Sequence, residues 1–116
     1  MILKPEPLKG QKKFKNLFQK GIKLERENFL IYYTPLFDFP LKYAIVINSK
    51  YGKAVKRNKL KRQVRAFLYQ NGFLHLPFFG NLLIYFKKEF NLDYNSMKNS
   101  LINSFLELKK CLKNLQ

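Results

Sequence analysis

Between Gly52 and Phe67 the chain reads G-K-A-V-K-R-N-K-L-K-R-Q-V-R-A-F, and the chemistry this run offers is phosphate binding. Lys53, Lys56, Arg57, Lys59, Lys61, Arg62 and Arg65 fall inside it, with Lys50 just ahead. No Asp or Glu occurs between Asp38 and Glu89. A lysine-rich helix is ordinarily a solvated face with acids interleaved; here the acids are missing. Like charges packed this closely repel, so the free protein gains nothing from clustering them. A polyanionic partner supplies the counter-charge. Such contacts give affinity and orientation more than sequence reading. Asn58 is the neutral member of the run. Its amide suits either a base edge or 2′-hydroxyl, or the holding of a helix start.

Catalysis by the protein's own side chains has little to draw on. His75 is the one histidine and lies in the apolar loop F-L-H-L-P-F-F, so two-histidine acid–base chemistry is excluded. The seven carboxylates are scattered, with no close pair to cage a metal ion. The single Cys111 makes neither an internal disulfide nor a cysteine-rich zinc site, and its place in a helix suits a packed thiol. No catalytic residue and no protein metal site is expected.

Composition narrows the partner. A net charge of +16 and a pI near 10.1 on 116 residues point first to nucleic acid and second to an anionic membrane surface. Hydrophobic residues at 47% and aromatics at 16% build a real core, unlike a disordered basic tail. No run approaches the ~18 apolar residues of a membrane span. The opening M-I-L-K-P-E-P-L-K lacks a signal-peptide core, so a cytoplasmic protein is expected.

The length suits one domain over residues 1–116, with residues 1–10, rich in proline, as an irregular arm. Lys12 to Lys20 reads as a short helix stopped by Gly21, with Phe14, Leu17 and Phe18 on one face. Phe29–Thr34 and Leu41–Ile47 read as strands; the second, nearly continuously apolar from Tyr43, is expected to be covered on both faces. After a loop pivoting on Gly52, a helix runs from about Lys56 to Gln70 with Leu60, Val64, Phe67 and Leu68 as its core stripe. That stripe commits the helix's apolar side to a core and counts against a membrane-surface role. Leu82–Phe86 is a further buried strand. Tyr94 to Leu115 carries Met97, Leu101, Phe105, Leu108, Leu112 and Leu115 at steps of four and three, with Asp93 or Ser96 to cap it. The order predicts an α+β domain with an antiparallel or mixed sheet.

The aromatics admit two readings. Phe14, Phe18 and Tyr32 are either core or the walls of a cleft between the first helix and the sheet. In such a cleft their rings stack on unpaired nucleotides of any sequence.

At Gly52–Arg65 the chain resembles the protein subunit of bacterial ribonuclease P. That family carries G-x-A-V-x-R-N-R-x-K-R-x-x-R after a buried strand, matched by Gly52, Ala54, Val55, Arg57, Asn58, Lys59, Lys61, Arg62 and Arg65. Phe14, Phe18 and Gly21 resemble its F-x-x-x-F-x-x-G, and Phe29 and Tyr32 look like aromatic positions of its next long strand. Lys59 stands where the family usually has Arg, and Asn81 where an Asp is common. The resemblance implies an α-β-β-β-α-β-α fold, a four-stranded sheet with packed helices and a left-handed βαβ crossover through the basic helix. General rules favour the right hand. It implies an endoribonuclease holoenzyme that removes the 5′ leader of precursor tRNA, with a catalytic RNA subunit, Mg²⁺ held by that RNA and no small-molecule cofactor. Lys50, Lys53, Lys56, Arg57, Asn58, Lys59, Lys61, Arg62 and Arg65 would then bind RNA, and Phe14, Phe18 and Tyr32 the leader. A ribosomal-type structural RNA binder is the alternative; it needs no exposed stacking cleft.

Overall fold

The run N-L-L-I-Y-F is apolar at nearly every position, and it forms the middle strand of a mixed sheet. The computed structural model describes residues 6–7, 19, 21–35, 41–70, 80–87 and 93–115. Strands β1 (Glu6–Pro7), β2 (Ile22–Glu25), β3 (Phe29–Thr34), β4 (Lys42–Ile47) and β5 (Asn81–Phe86) lie in the order β1-β4-β5-β3-β2. A 3₁₀ turn at Ser49–Tyr51 leads into helix α1 (Ala54–Gln70), and helix α2 (Tyr94–Leu115) closes the chain. β3 pairs antiparallel with both β5 and β2, while β4 is parallel to β5. α1 therefore sits in the connection of a βαβ crossover.

Four strands make the body of the sheet, as expected. The expected irregular arm adds a fifth, because Glu6–Pro7 pairs with Lys42 and Tyr43. β2 is the third strand ahead of the basic helix that the resemblance called for. Its I-K-L-E alternation is only four residues long and hides among charges.

Side-chain alternation sorts the sheet into two faces. Phe29, Ile31 and Tyr33 of β3, Tyr43 and Ile47 of β4, and Leu82, Ile84 and Phe86 of β5 join the helices in one buried cluster. α1 contributes Leu60, Val64, Phe67 and Leu68, the expected stripe; α2 contributes Met97, Leu101, Phe105 and Leu108. Each large apolar side chain buried this way is worth roughly 1.5–3 kcal/mol. Ser104, also on the buried side of α2, meets its hydrogen-bonding need by donating to the Ser100 carbonyl at 2.8 Å. On the opposite face Leu83 packs with Tyr32 and Ala44.

β4 is less covered than its sequence suggested. Val46 is 37% exposed and Ala44 half-buried. The reason is positional: both lie on the sheet face with Tyr32 and Leu83, opposite the face that packs with α1 and α2.

Asp93 caps α2. Its carboxylate accepts from Ser96 N at 2.8 Å and from the Ser96 hydroxyl at 3.0 Å, and these bonds hold its pKa below the usual value. At the head of β5, Gly80 has φ +106, and a Cβ there would lie 2.4 Å from the Thr34 carbonyl oxygen. Glycine is what lets β5 start beside the end of β3. Of the helix expected at residues 12–20 only Gln19 is described, and it is helical; Phe14, Leu17 and Phe18 lie outside the described residues, as does His75.

Candidate RNA interface

The interface is built from Asn48 onward. Its backbone N–H donates to the Phe86 carbonyl at 2.9 Å and its side-chain amide to the Tyr85 hydroxyl at 2.7 Å. Its side-chain oxygen accepts from Lys50 N at 2.8 Å. The turn that carries exposed Lys50 is thereby fixed to the end of the central strand. Tyr51 then buries its ring, and Lys56 lies over that ring at 4.9 Å. Gly52 makes this possible with φ 155 and ψ −170, a conformation essentially reserved for glycine.

α1 starts at Ala54, with Arg57 N bonded to the Lys53 carbonyl at 3.1 Å. This is two residues earlier than the sequence suggested. Asn58 therefore lies inside the helix and does not cap it, which removes the capping reading. The first turn has no acid. Cations thus crowd the end of the helix where the dipole is already positive, which an anion would relieve.

The cations divide by side. Lys53, Lys56, Lys59, Arg62 and Arg65 are exposed, and Lys61 and Arg57 half-buried. Asn58, Lys61, Arg62 and Arg65 line one groove together with Val55, which is 79% exposed. Lys56 and Lys59 face a second hollow, shared with Gln63 and Tyr94. Arg57 turns toward the core side; its Nε is buried with no hydrogen-bond partner among the described residues.

The Tyr43 hydroxyl donates to the Tyr69 hydroxyl at 3.2 Å. Burial first, then the Tyr69 bond, pushes Tyr43 up to about 12, with Arg65 opposing. Neither Tyr69 nor Asn48 was singled out for function from the sequence. Tyr69 lies four residues past Arg65 on the same helical side, a spacing that marks it in retrospect.

Tyr32 is half-buried on the sheet face away from the helices, between Lys23 of β2 and Leu83 of β5 in register. Lys23 Nζ lies 5.9 Å from its ring centre. It is outside the main core cluster. Phe14 and Phe18, its expected companions, fall among residues not described. Among the described residues no three of His, Cys, Asp and Glu gather as metal ligands, and no helix is long and apolar enough to cross a membrane.

A core-packed sheet presenting an acid-free cationic helix defines a nucleic-acid-binding module. The Ribonuclease P family model matches residues 2–115, and the chain belongs to that family. It is 32% identical over 111 residues to the ribonuclease P protein component of Petrotoga mobilis, covering 91% of this chain and 93% of that one. It is 38% identical over 82 residues to the component from Mycoplasma mycoides, covering 70% and 75%. The RNase P protein of Thermotoga maritima superposes with a TM-score of 0.76 at 26% identity, over 88% of this chain and 96% of that one. The chain is thus the protein subunit of an endoribonuclease of tRNA processing, and its partner is an RNA.

Proposed function

We propose that α1 and the turn before it grip the catalytic RNA, while Tyr32, with Phe14 and Phe18, takes the 5′ leader of precursor tRNA. The observation that carries the first half is the groove in which Asn58, Lys61, Arg62 and Arg65 converge on the outer side of a helix whose inner side is core. The second half is supported by Tyr32, an aromatic ring outside the main core with a cation beside it. Stacking accepts any base, which suits a leader that varies between tRNAs. Lys50, Lys53, Lys56 and Lys59 extend the phosphate contacts around the helix start, while Arg57, its Nε buried, lies on the core side of that line. Hydrolysis uses Mg²⁺ held on RNA phosphates, and the particle works in the cytoplasm without a membrane or a small-molecule cofactor.

Reconstitution of the protein with the RNA subunit and Mg²⁺ tests this reading. Cleavage of precursor tRNA requires the RNA; cleavage at the mature 5′ end by nuclease-free protein alone overturns it. In the reconstituted particle, Tyr32→Ala and Phe18→Ala should each weaken precursor binding by about 1–3 kcal/mol and leave mature tRNA, which lacks a leader, unchanged. Equal loss for both tRNAs, with a large fall in melting temperature, would make these rings plain core.

A further inference from the structure

Val55, Asn58, Arg62, Arg65 and Tyr69 follow one another along α1 at steps of three, four, three and four, so the line that forms the groove runs on to Tyr69. Tyr69 is 52% exposed. A single exposed aromatic is ordinary; this one is held. Its hydroxyl bonds to that of Tyr43, which is only 6% exposed and belongs to the core. The two rings meet edge to face, 6.1 Å apart at 79°. The tether fixes a ring that stays 52% exposed, which lowers the ordering cost of using it as a contact. Arg65 stands one turn before Tyr69 on the same side of α1, so a guanidinium and a held aromatic ring adjoin at the end of a cationic groove.

We propose that Tyr69 is an RNA-stacking residue: it receives one unpaired nucleotide of the RNA partner, whose phosphate Arg65 holds. This rests on α1 being the RNA-binding helix. Bases inside a duplex are already stacked and offer no free face, whereas an unpaired base stacks readily on an aromatic side chain next to an arginine. The acid-free run from residue 39 to residue 88 leaves no carboxylate on α1 to oppose the strand.

The chain has no tryptophan, so Tyr69→Trp introduces a single reporter. Titration with the RNA subunit should quench its emission as the base stacks. Tyr69→Ala should weaken RNA binding roughly 5-fold to 150-fold, the equivalent of ~1–3 kcal/mol per stacked base, without changing the salt dependence. Arg62→Ala, by contrast, should weaken binding and flatten the salt dependence, because it removes a phosphate contact. Unquenched emission at saturating RNA, with Arg62→Ala still weakening binding, overturns the Tyr69 assignment and leaves α1 as the RNA helix. RNA binding indifferent to Arg62 and Tyr69 alike overturns both. Should Tyr69→Ala lower the melting temperature, the Tyr69→Trp titration still decides.

Discussion

Two charged regions of this molecule are built on opposite plans. At the far corner of the sheet the cations have acids. Arg26 pairs with Glu107 of α2, and Lys87, just past β5, donates to Glu25 of β2 at 3.2 Å and to the Arg26 carbonyl at 2.7 Å. These contacts join residues 62 and 81 positions apart and tie β2, the end of β5 and α2 together. On α1 and its approach, seven cations between Lys53 and Arg65 share a stretch of chain with no acid at all. Neither ion pair of the described residues includes a residue of α1. Charge at the corner serves the fold; Lys61, Arg62 and Arg65 of the α1 groove enter neither of these ion pairs. Exposed pairs contribute only about 0–1 kcal/mol, so even the corner is a minor support beside the core.

Both regions rest on that core, and breaking it should erase the contrast. Phe105 of α2 is fully buried in the core, and Phe105→Ala should cost about 3–5 kcal/mol of stability, measured by urea denaturation. A loss below about 1 kcal/mol would mean that α2 is not seated on the sheet as described.

Gly52→Ala should strike the α1 side alone. A Cβ there would meet the Lys56 side chain at 2.8 Å, which a flexible lysine can yield to, but the backbone at φ +155 cannot relax so easily. The expected cost is on the order of 1–3 kcal/mol, with a weakened grip on RNA because the helix start and Lys50 shift. An unchanged melting temperature together with unchanged RNA affinity would show that the turn does not position the interface.

Arg26→Ala should have the smallest effect, about 0.2–1 kcal/mol of stability, shrinking further in high salt and leaving RNA affinity intact. A clear loss of RNA affinity from Arg26→Ala would break the division between folding charges and binding charges.

Much of this was legible in the sequence, for stated physical reasons. The stripes Leu60–Leu68 and Met97–Leu108 obey helical periodicity, and those residues are buried. The basic run was visible because charge needs no tertiary context to count. What escaped was short or long-range. β1 has two residues, too few for any period. The Asn48–Tyr85 bond and the Arg26–Glu107 pair depend on chain segments brought together only by the sheet. Asn58 was open to a capping role because α1 was expected to start near Lys56; starting at Ala54 puts the amide into the groove. Tyr69 was passed over because it carries no charge, although its spacing from Arg62 and Arg65 was there to be counted.

The central claim is that the outer side of α1 binds RNA phosphates while its inner side only folds. The direct test is the salt dependence of binding to the RNA subunit for the wild-type protein and for Lys61→Ala/Arg62→Ala/Arg65→Ala, with circular dichroism on both. If three phosphate contacts are lost, the log–log slope should fall by about 2–3 and affinity near 0.1 M salt by about two orders of magnitude, at about 0.7–0.9 per contact. The folded spectrum should be unchanged. An unaltered slope with a native spectrum would contradict the account.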